Sequence, residues 1–144
     1  KMLLQRVQAL GKPVVLVLMN GSALGINWAD RHVPAIVEAW YPGEEGGAAV
    51  AALLAGDFSP AGRLPVTFYK SVDQLPAFDD YSMSNRTYRY FKGEPLYPFG
   101  FGLSYTRFKY ANLQVSKSSV SPNKPVTVSV DVTNRGARAG DEVV

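Results

Sequence analysis

The apolar positions early in the chain change their rhythm from one predicted element to the next. Leu3, Val7 and Leu10 fall at helical spacing and Gly11-Lys12-Pro13 follows as a stop signal, which predicts a helix over Met2–Leu10. The run from Val14 to Met19 is continuously apolar and rich in β-branched residues, the pattern of a strand covered on both faces in a parallel sheet. Asn20-Gly21-Ser22 ends it as a turn. A second helix is expected to start around Asp30 and Pro34 and to carry Val33, Ile36, Val37 and Trp40 as one apolar stripe, until Tyr41-Pro42-Gly43 stops it. An alanine-rich helix is expected from about Glu45 to Leu54, with Gly46-Gly47 permitting close backbone approach and Gly56-Asp57 closing its end. Beyond the turn Ser59-Pro60-Ala61-Gly62, the stretch Leu64–Phe68 reads as a short strand. The order helix, strand, helix, helix, strand is part of an α/β layer fold, too small to close a sheet by itself.

The texture changes at Ser71. From there to Phe108 prolines, glycines and aromatic rings dominate and periodicity disappears. A loop of that length is functional or packed on a neighbour, and its aromatic density argues against disorder. A second change comes at Phe108. Ala111–Ser116 alternates, and Val126–Val132 alternates strictly between apolar and polar, which predicts half-buried antiparallel strands and a turn at Asn134-Arg135-Gly136. Their spacing suggests a β-sandwich of which two or three strands are present. The chain thus divides into residues 1–70, an α/β part; 71–107, an aromatic tether; and 108–144, the start of an all-β module. Both ends look cut: the first helix has no capping residue before it, and Glu142-Val143-Val144 reads as a strand barely begun. The free strand edges at Val14–Met19 and Val126–Val132 are expected to promote association.

Composition narrows the function classes. The chain has 144 residues, 47% hydrophobic and 19% charged, with 15 basic and 12 acidic side chains for a net charge of +3. The basic residues are spread rather than clustered, which argues against a nucleic-acid partner. No apolar run reaches the roughly 18 residues that cross a bilayer, so no membrane partner is expected. There is no cysteine and only His32 among histidines, so no disulfide framework or zinc site is expected. No cofactor is called for either.

Several motifs carry a bland reading beside a sharp one. Asn20-Gly21-Ser22 lacks the glycine pattern of a nucleophile elbow and reads as a strand-ending turn. Glu44-Glu45 precedes a helix, lacks a P-loop lysine, and would repel an anion; as adjacent residues they do not flank a scissile bond from two sides. Helix N-terminal acids favoured by the dipole are the better account. His32 reads as a surface or capping residue. The clusters Asp79-Asp80-Tyr81 and Asn85–Phe91 stand apart. Aromatic rings beside arginines and carboxylates are what a sugar site uses, with rings on the C–H faces and polar groups forking to hydroxyls. Asp79, Asp80, Arg86 and Tyr88 are therefore the candidate substrate-binding residues. A structural loop stapled against a neighbouring domain is the alternative.

Three long segments carry a family resemblance. Val33–Gly47 (VPAIVEAWYPGEEGG), Gly56–Phe68 (GDFSPAGRLPVTF) and Pro95–Phe108 (PLYPFGFGLSYTRF) resemble, in order, the C-terminal part of family three glycoside hydrolases. The last looks like the family's lead into a fibronectin type III-like domain. The resemblance implies the C-terminal part of an α/β sandwich followed by the first strands of a fibronectin type III-like sandwich, packed in the whole protein on an N-terminal barrel. It implies a retaining exo-glycosidase acting on oligosaccharides through an aspartate nucleophile and a glutamate acid/base, neither of which maps onto a residue here. The expected function is thus that of a fragment of an exo-β-glycosidase, itself inactive. Asn20–Leu24 and Tyr81–Phe91 look more like bacterial β-xylosidases than β-glucosidases, so xylose is favoured, with glucose as the alternative. A periplasmic or secreted enzyme is expected rather than a cytoplasmic one. A non-catalytic carbohydrate-binding or scaffolding module is the alternative of another class.

Overall fold

The computed structural model describes residues 1–144. Helix α1 (Met2–Gln8) leads into strand β1 (Val15–Leu18), helix α2 (Asn27–His32), strand β2 (Ala35–Glu38) and helix α3 (Gly46–Ala55). A 3-10 turn (Val72–Gln74) and the single-turn helix α4 (Thr87–Tyr90) follow, and then strands β3 (Phe108–Val115) and β4 (Val128–Asn134).

The first helix, the first strand and the alanine-rich helix stand where the apolar rhythm places them. The second helix does not. Helix α2 ends at His32, with Val33 already extended at φ −104°, ψ 123°. Pro34 disfavours helical backbone at the residue before it, and residues 35–38 pair in parallel with β1, Val15 opposite Ala35 through Leu18 opposite Glu38. Ile36 and Val37 thus belong to a strand, not to a helical stripe. The β-branched pair fits a sheet better than a helix. Helix α3 closes in a Schellman arrangement, with Gly56 at φ +81° donating to the Leu53 carbonyl at 3.0 Å and Asp57 donating to Ala52 at 3.0 Å. At its start, a Cβ on the buried Gly46 would lie 2.5 Å from the Pro42 ring.

Leu64–Phe68 does not form the expected strand. It lies extended against residues 96–101, held by Leu64 N–H to the Phe101 carbonyl at 2.9 Å, Gly100 N–H to Leu64 at 2.8 Å, and one antiparallel bridge between Phe68 and Tyr97. Pro65 and Pro98 remove donors from the two runs, so no continuous ladder can form. Phe68 nevertheless anchors the core. It is 1% exposed, and its ring meets Trp40 at 6.0 Å and Tyr97 at 6.1 Å. Tyr97 stacks on Phe101 at 4.9 Å. Tyr97 also donates to Asp30 Oδ1 at 2.6 Å, tying the aromatic segment to α2. Burial and then the Asp30 carboxylate hold the Tyr97 hydroxyl well above the usual phenol range.

Strands β3 and β4 pair antiparallel from Phe108 opposite Asn134, with a bulge between Ala111 and Gln114. Asn112, at φ 54°, occupies the bulge and donates to Asp131 Oδ2 at 2.7 Å. The pairing is as expected, and the turn forms with Gly136 N–H donating to Asn134 Oδ1 at 3.0 Å. The half-burial is not as expected: no β4 residue is buried and only Val130 is better than exposed, because no second sheet covers its apolar face in the chain as described. The accessible surface of 10855 Å² exceeds the about 7,300 Å² of a compact monomer of this mass by about half.

The ribbon is fastened to the α/β part. Arg63 pairs with Glu142 at 2.6 Å, each side chain 14% exposed, and Tyr110 donates to the other Glu142 oxygen at 2.7 Å. Arg138 donates to the Gly56 carbonyl at 2.9 Å and lies over the Tyr105 ring at 5.9 Å.

Candidate functional site

The loop of residues 71–92 carries the four candidate sugar-binding residues. Its first half turns at Phe78-Asp79, closed by Asp80 N–H to the Ala77 carbonyl at 3.1 Å. Asp80 Oδ1 accepts from Ser82 N–H at 2.8 Å, and that bond lowers its pKa from the ordinary value. Arg86 spans the loop from inside. Its guanidinium donates to the carbonyls of Asp80 at 2.6 Å, Ala77 at 3.0 Å and Ser82 at 3.2 Å. Arg86 is therefore committed to backbone, and its fork is not free for a ligand in this arrangement. Asp79 is exposed at the tip and takes part in neither of the two ion pairs of the chain. Tyr88 stacks on Phe99, ring centroids 4.4 Å apart, and keeps its other face toward solvent. The four residues thus share a loop, with Asp80 and Arg86 shaping it and Asp79 and Tyr88 on its outer surface.

The second half of the loop is held in an unfavourable backbone conformation. Asn85 and Thr87 both have φ 55°. For β-branched Thr87 that is a strained region, of the sort that persists only where surroundings over-determine it. The surroundings do so here. Asn85 donates to the Gln74 carbonyl at 3.0 Å and accepts from Lys92 N–H at 3.1 Å. Thr87 N–H donates to the Tyr69 hydroxyl at 3.1 Å, and Tyr69 meets Phe91 edge-on at 4.9 Å.

A second polar cluster lies beyond the carboxyl ends of β1 and β2. Glu38 Oε1 accepts from Trp40 N–H at 3.2 Å, with Trp40 at φ 53°. Asn20 donates to the Ser22 carbonyl at 2.6 Å, making the expected turn. Asn20 Oδ1 and Glu38 Oε2 are both buried without a partner. Burial raises the Glu38 pKa, against smaller lowering by the Trp40 N–H and the Asn20 side chain. Sequence reasoning passed over Glu38 because a glutamate in an apolar run looks like a solvated helix position; its place at the end of a strand only emerges from the pairing. His32 makes the bland reading good: it stacks on Trp28 at 4.6 Å and its Nδ1 lies 2.7 Å from the Trp28 carbonyl, closing the last turn of α2. Glu44 and Glu45 are exposed before α3, with no side-chain capping bond. No group of His, Cys, Asp and Glu has the arrangement of a metal site, and no helix is long and apolar enough to cross a membrane.

Comparison with known proteins places this geometry in context. Residues 1–105 match the glycosyl hydrolase family 3 C-terminal domain. A xylan 1,4-beta-xylosidase of Xylanibacter ruminicola is 46% identical over 141 residues, covering 98% of this chain and 16% of that protein. A periplasmic beta-glucosidase of Salmonella typhimurium is 42% identical over 154 residues, covering 99% of this chain and 20% of that protein. Among solved structures, the beta-D-glucoside glucohydrolase from Trichoderma reesei superposes with a TM-score of 0.84 at 30% identity, over 96% of this chain and 23% of that one. The chain therefore spans between a sixth and a quarter of the length of these relatives.

Proposed function

The chain belongs to glycosyl hydrolase family 3, and from that membership we propose that it forms the C-terminal part of a retaining exo-β-glycosidase that removes terminal xylose from xylo-oligosaccharides. The observation that carries the sugar is the 46% identity to a protein named as a xylosidase across 98% of the chain. A β-glucosidase is the second reading, favoured by the 42% identity to the Salmonella protein. Either enzyme works through two carboxyl groups about 5 Å apart, one as nucleophile and one as acid/base. In this reading both belong to polypeptide preceding Lys1, and these residues supply wall and support.

The exposed surface supports that role. Large apolar side chains such as Leu3, Tyr41, Leu103 and Leu113 lie in solvent, and area of this kind is expected to be covered by further polypeptide. Residues 1–70 complete an α/β sandwich, 71–107 carry the chain across its face, and 108–144 begin a fibronectin type III-like module. Asp79 and Tyr88 border the sugar pocket, and Asp80 and Arg86 hold the loop that presents them. The name of the Salmonella relative supports a periplasmic or secreted enzyme.

The test is the kcat/KM of the complete enzyme on nitrophenyl β-xyloside and β-glucoside. The reading expects the xyloside to be preferred by at least tenfold. Preference for the glucoside moves the assignment to the second reading, and cleavage of neither overturns both.

A further inference from the structure

Two buried oxygens at the carboxyl ends of β1 and β2, Asn20 Oδ1 and Glu38 Oε2, accept no hydrogen bond. The sheet brings them together. Leu18 pairs with Glu38 in parallel register, and side chains alternate along a strand. Asn20, two residues beyond Leu18, therefore falls on the same face as Glu38. The Asn20 amide is close enough to bear on the Glu38 carboxyl and lower its pKa. A buried acceptor left unpaired costs stability, and two side by side cost more because their partial charges repel.

An exposed surface can be covered when polypeptide is laid over it, whereas burial can only grow. These two oxygens already present almost no surface that a water-sized group could touch. A water, a cation or a donor from another segment therefore has no approach to them. Turning the Asn20 amide over does not help, because its Nδ2 donates to the Ser22 carbonyl at 2.6 Å and reversal would set Oδ1 against that carbonyl. A proton needs no space. On Glu38 Oε2 it makes that oxygen a donor, with Asn20 Oδ1 as the acceptor beside it. Glu38 Oε1 still accepts from Trp40 N–H at 3.2 Å. No charged side chain acts on this carboxyl: the influences on it are burial first, then the Trp40 N–H and the Asn20 amide. Arg63 and Lys70 are engaged with Glu142 and Glu94. The titratable side chain packed on the turn is Tyr41, whose Cε2 would lie 2.6 Å from a Cβ on Gly21.

We propose that Glu38 is a neutral carboxylic acid in the folded protein and donates through Oε2 to Asn20 Oδ1, forming a clasp between the ends of β1 and β2 that opens as pH rises. The proton is taken from water on closing and returned to water on opening, and no other bond changes. Closed, the clasp steadies the turn at residues 20–22 through Asn20. It also steadies Trp40, whose φ of 53° is a strained conformation for a bulky residue and persists only where its surroundings hold it. Open, the ionised Oε2 faces Asn20 Oδ1, and both turns loosen.

The experiment uses the complete enzyme and reads infrared difference spectra, wild type minus Glu38→Gln, at about pH 5 and about pH 8; an ordinary glutamate is mostly ionised at the lower of these. The expected result is a carboxylic acid C=O band at the lower pH that is gone at the higher. Asn20→Leu keeps the side-chain shape without the acceptor, and is expected to move that band to higher frequency; Asn20→Ala replaces it should the leucine variant not fold. Hydrogen exchange at residues 20–22 and 39–41, corrected for its intrinsic pH dependence, is expected to speed up by roughly threefold or more between the two pH values in the wild type and not in Glu38→Gln. Carboxylate bands in place of the acid band at the lower pH overturn the proposal. So does a band that stays in place when Asn20 is replaced, or exchange that accelerates equally in Glu38→Gln. A Glu38→Gln enzyme that does not fold also overturns it, because glutamine supplies the neutral donor the clasp requires. None of these readouts uses glycoside cleavage, so the clasp and the glycosidase reading stand or fall separately.

Discussion

The ribbon β3–β4 and the segment from Ser59 to Thr106 make an instructive pair. The ribbon is the most regular part of the molecule, two strands of 8 and 7 residues in continuous pairing apart from one bulge. None of its residues is buried. The segment 59–106 contains no element longer than 4 residues, yet Thr67, Phe68 and Thr106 are three of the six buried residues of the chain. Regular hydrogen bonding and apolar burial are separate contributions, and the second gives most of the net stabilisation. The irregular segment, not the ribbon, holds this molecule together.

Substitutions that attack each region separate the two contributions. Phe68→Ala removes the only large side chain under 2% exposed and the hub between Trp40 and Tyr97. It should cost about 3–5 kcal/mol in a urea titration, the ordinary range for a core aromatic. Arg63→Ala breaks the fastening between the regions and leaves Glu142 with Tyr110 alone. A loss of about 2 kcal/mol is expected, together with hydrogen exchange in β3 and β4 that speeds up more than exchange in α3. Gly56→Ala forces a side chain into φ +81° with Arg138 Nη1 at 3.2 Å, and should cost about 1–2 kcal/mol.

Glu38 gives a slope rather than a step. Its folded pKa is raised above the ordinary 4.5, chiefly by burial, so the neutral form is the one the fold favours. Its stabilising contribution is complete below pH 4.5 and is lost as pH rises through the raised folded value. Glu38→Gln, neutral at every pH, should flatten that part of the stability profile; an unchanged slope in the glutamine variant would contradict the assignment. The smallest effect belongs to the ribbon. Val128→Ala, at an exposed strand position, should stay within about 0.5 kcal/mol. A loss there as large as that for Phe68 would reverse the comparison.

What could be read from sequence follows the same division. The ribbon, α1, β1 and α3 were legible because each carries its own period over several residues. Residues 33–40 were misread because Asp30 and Pro34 look like a helix start, whereas Asp30 lies inside a helix that ends before Pro34. Only the partner strand β1 decides between stripe and strand for Ile36 and Val37. Leu64–Phe68 was legible as extended, but its partner at 96–101 lies across an aperiodic loop, and prolines on both runs leave a single bridge. The composition of the loop, rings beside arginines and carboxylates, was legible, and its use as a sugar site stays a proposal. The roles within the loop were not legible: that Arg86 faces inward to three carbonyls depends on loop geometry that no spacing encodes.

The proposal at the centre of the account is that these residues shape and support a glycosidase whose reacting carboxyls are not among them. The direct test is hydrolysis of nitrophenyl xyloside by the 144-residue chain alone, beside the complete enzyme at equal concentration. The account predicts turnover by the complete enzyme and none by the chain alone. Turnover by the chain alone that survives purification and disappears on replacing Glu44 or Glu45 would contradict it.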